Sequence, residues 1–295
     1  MTRKETHFYL ILLTPAVLIL LLFIAGPIVE SFFLSFHRLI LSLPQLGSPF
    51  LGWENYRELL FDPVARHSLR ITLLFVGATT FFELLIGLLL ALLMHHHFRG
   101  RGMLRACVLI PWAVPTVVSA QMWRFLLNDA YGVVNYALFG AHAAEYIPWL
   151  ALPSTALLSL VVADVWKTSS FAALLILAGL QVIPEELYLA AKVDGAGVWQ
   201  RFWRVTWPLI RPALLVALLF RTIDAFRVFD LAFVMTQGGP ADATNVLQLY
   251  GYKKMFVEGW MGYGSAISVS IFCMVLVLAV LYVRMAGRRL METKA

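Results

Sequence analysis

Arg221, Asp224, Arg227 and Asp230 alternate in sign at three-residue steps within an otherwise apolar stretch. Any one of these ions facing lipid alone at a bilayer centre would cost about 2.5–3.5 kcal/mol. Residues three apart are neighbours on a helix, so each charge can be cancelled by the next. Steps of three drift backwards around the axis, so the ladder winds over about half the circumference. It can tie neighbouring helices together, or it can guide a polar solute; both readings stay open. Asp164 and Lys167, beside Trp166, form a second three-step pair. Glu83 and Arg124 have no local partner, which sends each to another helix or to a water-filled cavity.

Other chemistry is absent or improbable by spacing. His95, His96 and His97 point about 100° apart on a helix and cannot chelate one ion together. As cations at a helix C-terminus they are well placed. Cys107 and Cys273 both lie in apolar runs, against a disulfide framework or a thiolate metal cluster. No Ser-His-Asp or Cys-His arrangement can be placed, and no G-x-x-x-x-G-K-[ST] phosphate loop occurs. The chain is expected to be no enzyme, to hold no metal and to bind no cofactor.

The elements that position these residues follow from composition. Of 295 residues, 61% are hydrophobic and 14% charged, with 23 Lys and Arg against 17 Asp and Glu. Soluble domains carry about 25% charged residues, so this chain is read as an all-α integral membrane protein. Six apolar stretches are long enough to cross a bilayer: 8–29, 69–94, 103–127, 154–182, 209–235 and 263–286. The first follows Arg3 and Lys4 but is longer than a signal core and is read as a retained helix.

Positive residues near span ends stay cytoplasmic. Thirteen Lys and Arg, from Arg3 and Lys4 through Arg99, Arg101, Arg105, Lys192, Arg201, Arg204 and Arg211 to Arg284, Arg288, Arg289 and Lys294, fall on one side. Six (Arg38, Arg57, Arg66, Arg70, Lys253 and Lys254) fall on the other. Both termini are therefore expected in the cytoplasm. The loop 128–153 has no Lys or Arg and carries Tyr131, Tyr146 and Trp149 near its ends, as an outer interface would. The basic excess is thus a topology signal, and nucleic acid is not an expected partner.

The cytoplasmic segment 184–208, between the fourth and fifth spans, reads as helix, turn, helix. Pro184 suits a helix start, and Glu185 and Glu186 complement the positive end of the macrodipole. Leu187, Ala190, Ala191 and Asp194 recur at helical spacing, and Gly195 and Gly197 permit a left-handed stop. A second short helix carries Trp199, Phe202, Trp203 and Trp207 and ends at Pro208. Such a pair can simply lie on the headgroups. Its small residues also make a shallow surface that another protein can approach closely.

This segment resembles the coupling motif of binding-protein-dependent ABC importer permeases, through Ala190-Ala191, Asp194-Gly195-Ala196, Phe202, Pro208-Leu209 and Pro212. The resemblance implies that Glu185, Glu186, Leu189, Ala190, Ala191, Lys192, Asp194, Gly195 and Ala196 dock on a separate ATPase. Leu189 departs from the family, which usually has glutamate there; Glu186 and Glu185, three and four residues earlier on the same face, are candidate substitutes.

Phe226, Phe229-Asp230, Thr236, Gly238-Gly239-Pro240 and Thr244 are similar to the carbohydrate-uptake branch, of trehalose/maltose type. The implied assembly is a sugar importer of a bacterial or archaeal inner membrane, embedded in lipid. Its partners would be a second homologous permease, an ATP-binding subunit dimer carrying ATP and Mg, and an extracytoplasmic solute-binding protein. Trehalose or a related disaccharide is the implied substrate. Rings stack on sugar C–H faces and polar groups take hydroxyls, which makes Gln121, Trp123, Asp164, Trp166, Lys167, Asp224, Phe226, Arg227, Phe229 and Asp230 the candidate pathway residues. The alternative is an ion-driven secondary carrier using Glu83, Asp164 or Asp224 as proton relays. It should show an inverted repeat, yet the 184–208 pair has no counterpart between the second and third spans.

Overall fold

The computed structural model describes residues 3–292, and their side chains over 12–284. The described residues are helical and form no strand. In chain order, α1 is Arg3–Leu20, continued by a π turn Leu21–Ala25 and Gly26–Ser35. Then follow α2 (Glu54–Phe61), α3 (Pro63–His95), α4 (Arg101–Ala113), α5 (Thr116–Leu126), α6 (Val133–Phe139), α7 (Pro153–Gln181) and α8 (Glu185–Val193). Next, α9 joins Val198–Arg201, a π turn Phe202–Thr206 and Trp207–Phe226. The chain continues with α10 (Asp230–Met235), α11 (Leu247–Tyr252 with a π turn Lys253–Val257) and α12 (Met261–Glu292).

Four stretches are long and apolar enough to cross a membrane: Leu12–Ser35, Pro63–His95, Pro153–Gln181 and Met261–Arg284. These answer to the first, second, fourth and sixth predicted spans. The third, expected to run straight over 103–127, is instead α4 and α5 bent by 93°. Pro111 is tolerated inside α4, but Val114 before Pro115 is extended (φ −71°, ψ 130°). A residue before proline is pushed out of the α region, and here that breaks the rod. The fifth, expected over 209–235, stops at Phe226 and restarts at Asp230, with Phe229 at φ −135°, ψ −58° between. Its 20-residue segment Trp207–Phe226 carries Arg211, Arg221 and Asp224, a denser set of charges than in any of the other four.

Pro208 does not end a short helix as expected. Helical geometry runs unbroken from Val198 to Phe226, because the Trp207 amide reaches back to the Phe202 carbonyl in a π turn. The wider turn absorbs the hydrogen bond that proline removes. The stop at Gly195 is as expected (φ +77°). Gly195 N bonds Lys192 O at 3.0 Å and Ala196 N bonds Ala191 O at 2.9 Å, which is a complete Schellman closure. Gly197, expected to share that role, is ordinary extended backbone (φ −67°).

The chain forms two compact units, Met1–Arg66 with Tyr250–Cys273, and His67–Leu249 with Met274–Ala295. In the first, Gly262 and Gly264 permit the close packing expected of the last helix: a Cβ on Gly262 would meet His37 O at 2.0 Å. Asp62 gathers bonds here. Its Oδ1 accepts from Val64 N at 2.8 Å, and its Oδ2 accepts from the Tyr263 hydroxyl at 2.7 Å and from that of Tyr250. Burial pushes this carboxyl up, but the two hydroxyls and the amides of Val64 and Ala65 outweigh it and hold it below the ordinary range. A depressed carboxyl stabilises fully above its unfolded value of about 4 and loses that contribution as pH falls through the lower folded value. Amide exchange in the 250–263 segment of the wild-type protein, measured in detergent, should therefore quicken at about pH 3 beyond the intrinsic pH trend of exchange. Asp62→Asn should remove that extra step.

In the second unit, glycine and alanine bring three helices together. A Cβ on Gly87 of α3 would sit 2.9 Å from Ala172 Cβ of α7, and one on Gly179 of α7 would sit 2.3 Å from Ala213 Cβ of α9. Met94, Ile176, Leu180, Ile210 and Ala217 fill the core beside these contacts. Small residues at such interfaces let backbones approach closely. The loop after α5 is held by Asn135, fully buried. Asn135 donates to Ile147 O (2.9 Å) and Asn128 O (3.3 Å), and accepts from Ile147 N (3.1 Å) and Trp149 Nε1 (2.9 Å). Asn135→Leu leaves those groups unpaired and is expected to cost about 2–3 kcal/mol. Denaturant unfolding and tryptic susceptibility of the loop would report it.

Candidate functional site

The close approach of α3, α7 and α9 places a buried ion cluster between them. Arg221 of α9 donates from Nε to Glu83 Oε2 at 2.6 Å and from Nη2 to Glu83 Oε1 at 2.9 Å. Thr168 of α7 donates to the same Oε1 at 2.5 Å. Arg221 Nη1 donates to Asp224 Oδ2 at 2.7 Å, and Nη2 stands 3.7 Å from Asp164 Oδ2. Side-chain exposure grades outward: 0% at Glu83, 3% at Arg221, 10% at Asp164 and 64% at Asp224. Glu83 thus finds its partner on another helix, as expected. Arg124 is exposed and has no ion-pair or hydrogen-bond partner among the described residues.

Only one rung of the expected ladder forms. Arg221 and Asp224 pair, but the helix ends at Phe226, so Arg227 and Asp230 are no longer one turn apart and no ion pair joins them. Asp164 and Lys167 do not pair either. Asp164 turns to Arg221, and Lys167 Nζ donates to Trp112 O at 3.4 Å, across to α4.

A cavity of about 490 Å³ opens on this cluster. Asp164, Lys167, Thr168 and Phe171 of α7 line one wall; Phe220, Arg221, Ile223 and Asp224 of α9 line another. Arg227, Phe229 and Asp230 line it from the break after α9, and Trp112 and Thr116 from the break between α4 and α5. The broken ends of two helices therefore face one space. Trp112 stacks on Phe171 (5.8 Å, 13°), and Phe171 meets Phe220 edge-on at 6.4 Å. An aromatic shelf beside carboxylates and a lysine suits a polyhydroxylated solute.

Of the expected pathway residues, Asp164, Lys167, Asp224, Arg227, Phe229 and Asp230 line this cavity, and Gln121, Trp123, Trp166 and Phe226 do not. Gln121 is exposed, Phe226 is buried, and Trp123 meets Trp166 edge-on at 5.9 Å. Trp112, Thr116, Thr168, Phe171 and Phe220 were not anticipated. The signal was present: 164, 167, 168 and 171 fall at helical spacing on one face, as do 220, 223 and 224. The three histidines join no group able to hold a metal among the described residues.

At the other end of α9, the 184–208 elbow stands in the open. Glu185, Glu186, Leu189, Ala190, Lys192, Asp194 and Gly195 are exposed, and Ala191 and Ala196 are half-buried. The Tyr188 hydroxyl bonds Thr206 Oγ1 at 3.0 Å and ties α8 to α9. Trp199, Phe202, Trp203 and Trp207 form a connected ring cluster, with centroids 5.2–6.2 Å apart.

Residues 83–290 match the family described as binding-protein-dependent transport system inner membrane component. The trehalose/maltose transport system permease protein of Thermococcus litoralis is 40% identical over 286 residues, 97% of this chain and 96% of that protein. The trehalose transport system permease protein of Mycobacterium tuberculosis is 38% identical over 285 residues, 96% and 90% of the two chains. In fold, a chain of a bacterial alginate ABC transporter, solved with an alginate pentasaccharide-bound periplasmic protein, superposes with a TM-score of 0.83. It is 22% identical, with 97% of this chain and 96% of that one covered.

Proposed function

The chain belongs to the family of binding-protein-dependent transport system inner membrane components, and from that premise we propose that it is the permease subunit of an ATP-driven sugar importer. It forms half of a translocation pathway, completed by a second, similar permease. An extracytoplasmic solute-binding protein delivers the sugar, and a dimer of separate ATP-binding subunits, carrying ATP and Mg, drives the cycle. The chain itself hydrolyses nothing. Trehalose or a related disaccharide is the substrate that the similarity to the two trehalose permeases supports.

The observation that carries this reading is the continuity of α9. One end abuts the exposed elbow, and the other presents Phe220, Arg221 and Asp224 to the cavity. The surface made by Glu185, Glu186, Leu189, Ala190, Ala191 and Lys192 of α8 and by Asp194, Gly195 and Ala196 after it is the docking surface for the ATPase. Its movement on ATP binding turns α9 and opens the cavity to alternate sides. Asp164, Lys167, Asp224, Arg227, Phe229 and Asp230 meet the solute; Gln121, Trp123, Trp166 and Phe226 lie outside the cavity lining.

In this topology the bent α4–α5 pair and α9 are crossings, which makes six with the four apolar helices. Both termini are cytoplasmic in the inner membrane. The charge bias behind that orientation includes Arg3, Lys4, Arg288, Arg289 and Lys294, whose side chains lie outside the described residues. Uptake of labelled trehalose into proteoliposomes holding the complete transporter tests the proposal. Uptake should require both internal ATP and the loaded binding protein. Uptake driven by a proton gradient alone would instead establish a secondary carrier.

A further inference from the structure

We propose that Glu83 is the positioning residue of the cavity: it fixes the plane of Arg221, and Arg221 holds the Asp224 carboxylate at the wall where solute passes. This rests on the transport role given to the cavity above. Glu83 belongs to α3, which contributes no residue to the lining, and its side chain is fully buried. It nevertheless takes two of the guanidinium N–H groups, at 2.6 and 2.9 Å, in the bidentate geometry that fixes both distance and orientation. Thr168, a lining residue, donates to Glu83 Oε1 at 2.5 Å, the oxygen that also accepts from Arg221 Nη2.

With its plane fixed, Arg221 directs Nη1 at Asp224, 2.7 Å away. The Asp224 carboxylate is 64% exposed and has no other ion-pair or hydrogen-bond partner among the described residues. A sugar hydroxyl needs an acceptor held in place, and this carboxylate is held only through Arg221. Packing alone does not explain the arrangement, since a buried ion pair is often replaceable by apolar side chains without loss of stability. Three carboxylates converge on one guanidinium here, and the most exposed of them faces the cavity. Without the Glu83 carboxylate, Arg221 is free to turn toward Asp164, 3.7 Å off, and Asp224 is released.

The test measures disaccharide imported per ATP hydrolysed, with trehalose or maltose, in proteoliposomes holding the complete transporter. Glu83→Gln, which keeps shape and one acceptor but not the charge, should lower that ratio about tenfold. The reversed pair, Glu83→Arg with Arg221→Glu, rebuilds the buried ion pair but turns a carboxylate toward Asp224. It should regain thermal stability relative to Glu83→Arg alone, yet not the ratio. An assembled Glu83→Gln complex with the wild-type ratio would overturn the inference, as would recovery of the ratio by the reversed pair. Failure of Glu83→Gln to assemble would also count against it, in favour of a purely structural role. Wild-type complexes that import neither sugar would overturn the transport reading and this inference with it; import by the wild type makes the two failures separable.

Discussion

Replacing Ala190 by Trp is expected to cut ATP-driven uptake by more than about a hundredfold, the loss of a dominant interface contact, while leaving the fold of the purified chain intact. Ala190 is exposed on α8, one turn before the Gly195 stop, with its carbonyl already bonded to Asp194 N at 3.0 Å. An indole there projects away from the rest of the chain and disturbs none of its packing. Exposed substitutions of this kind stay within about 0.5 kcal/mol of wild type. A partner seated on α8 would meet the full ring. Parallel measurement of detergent thermal unfolding, assembly with the ATPase subunits and stimulated ATP hydrolysis separates the two. Unchanged unfolding with lost assembly is the expected pattern, and normal uptake in the variant would remove α8 from the coupling path.

Arg221→Met should have the opposite signature, a large loss of stability. The substitution strands Glu83, 0% exposed, and Asp164, 10% exposed, without their cation. Removing one partner of a buried pair typically costs about 3–5 kcal/mol. Arg227→Met, an exposed change at the end of α9, should cost less than about 0.5 kcal/mol. The Arg221 effect is not additive with changes at Glu83: Glu83→Leu combined with Arg221→Met should be less damaging than Arg221→Met alone, because it leaves one fewer uncompensated charge. Denaturant unfolding of the four proteins in one detergent would settle the order.

Much of this architecture was legible in the residues because a bilayer leaves few alternatives. Apolar length alone located α1, α3, α7 and α12, and a lone acid in α3 required a partner from elsewhere, which proved to be Arg221. The Gly195 stop was legible because a left-handed residue closing a helix has few other occupants. The breaks were not legible from hydropathy, which does not record where a backbone stops being helical. Pro111, Pro208 and Pro212 sit within helical runs, whereas Pro115 lies in the break of a 93° bend. The charge ladder misled for the same reason. Three-residue spacing makes neighbours only while the helix lasts, and it ends between Asp224 and Arg227. Trp112 and Thr116 became cavity residues through a bend that their own spacing did not announce.

The π turn at Phe202–Thr206 has a mechanical consequence. Had Pro208 severed the chain's helical course, the elbow and the charged end of α9 would be joined by a slack tether. Instead a continuous helical course joins Val198 to Arg221, about 35 Å of path at a rise of about 1.5 Å per residue. On the coupling role proposed for the elbow, a displacement near Trp199 would travel to Arg221 and Asp224 along hydrogen-bonded helix, and the non-helical residues 227–229 are the first break beyond them.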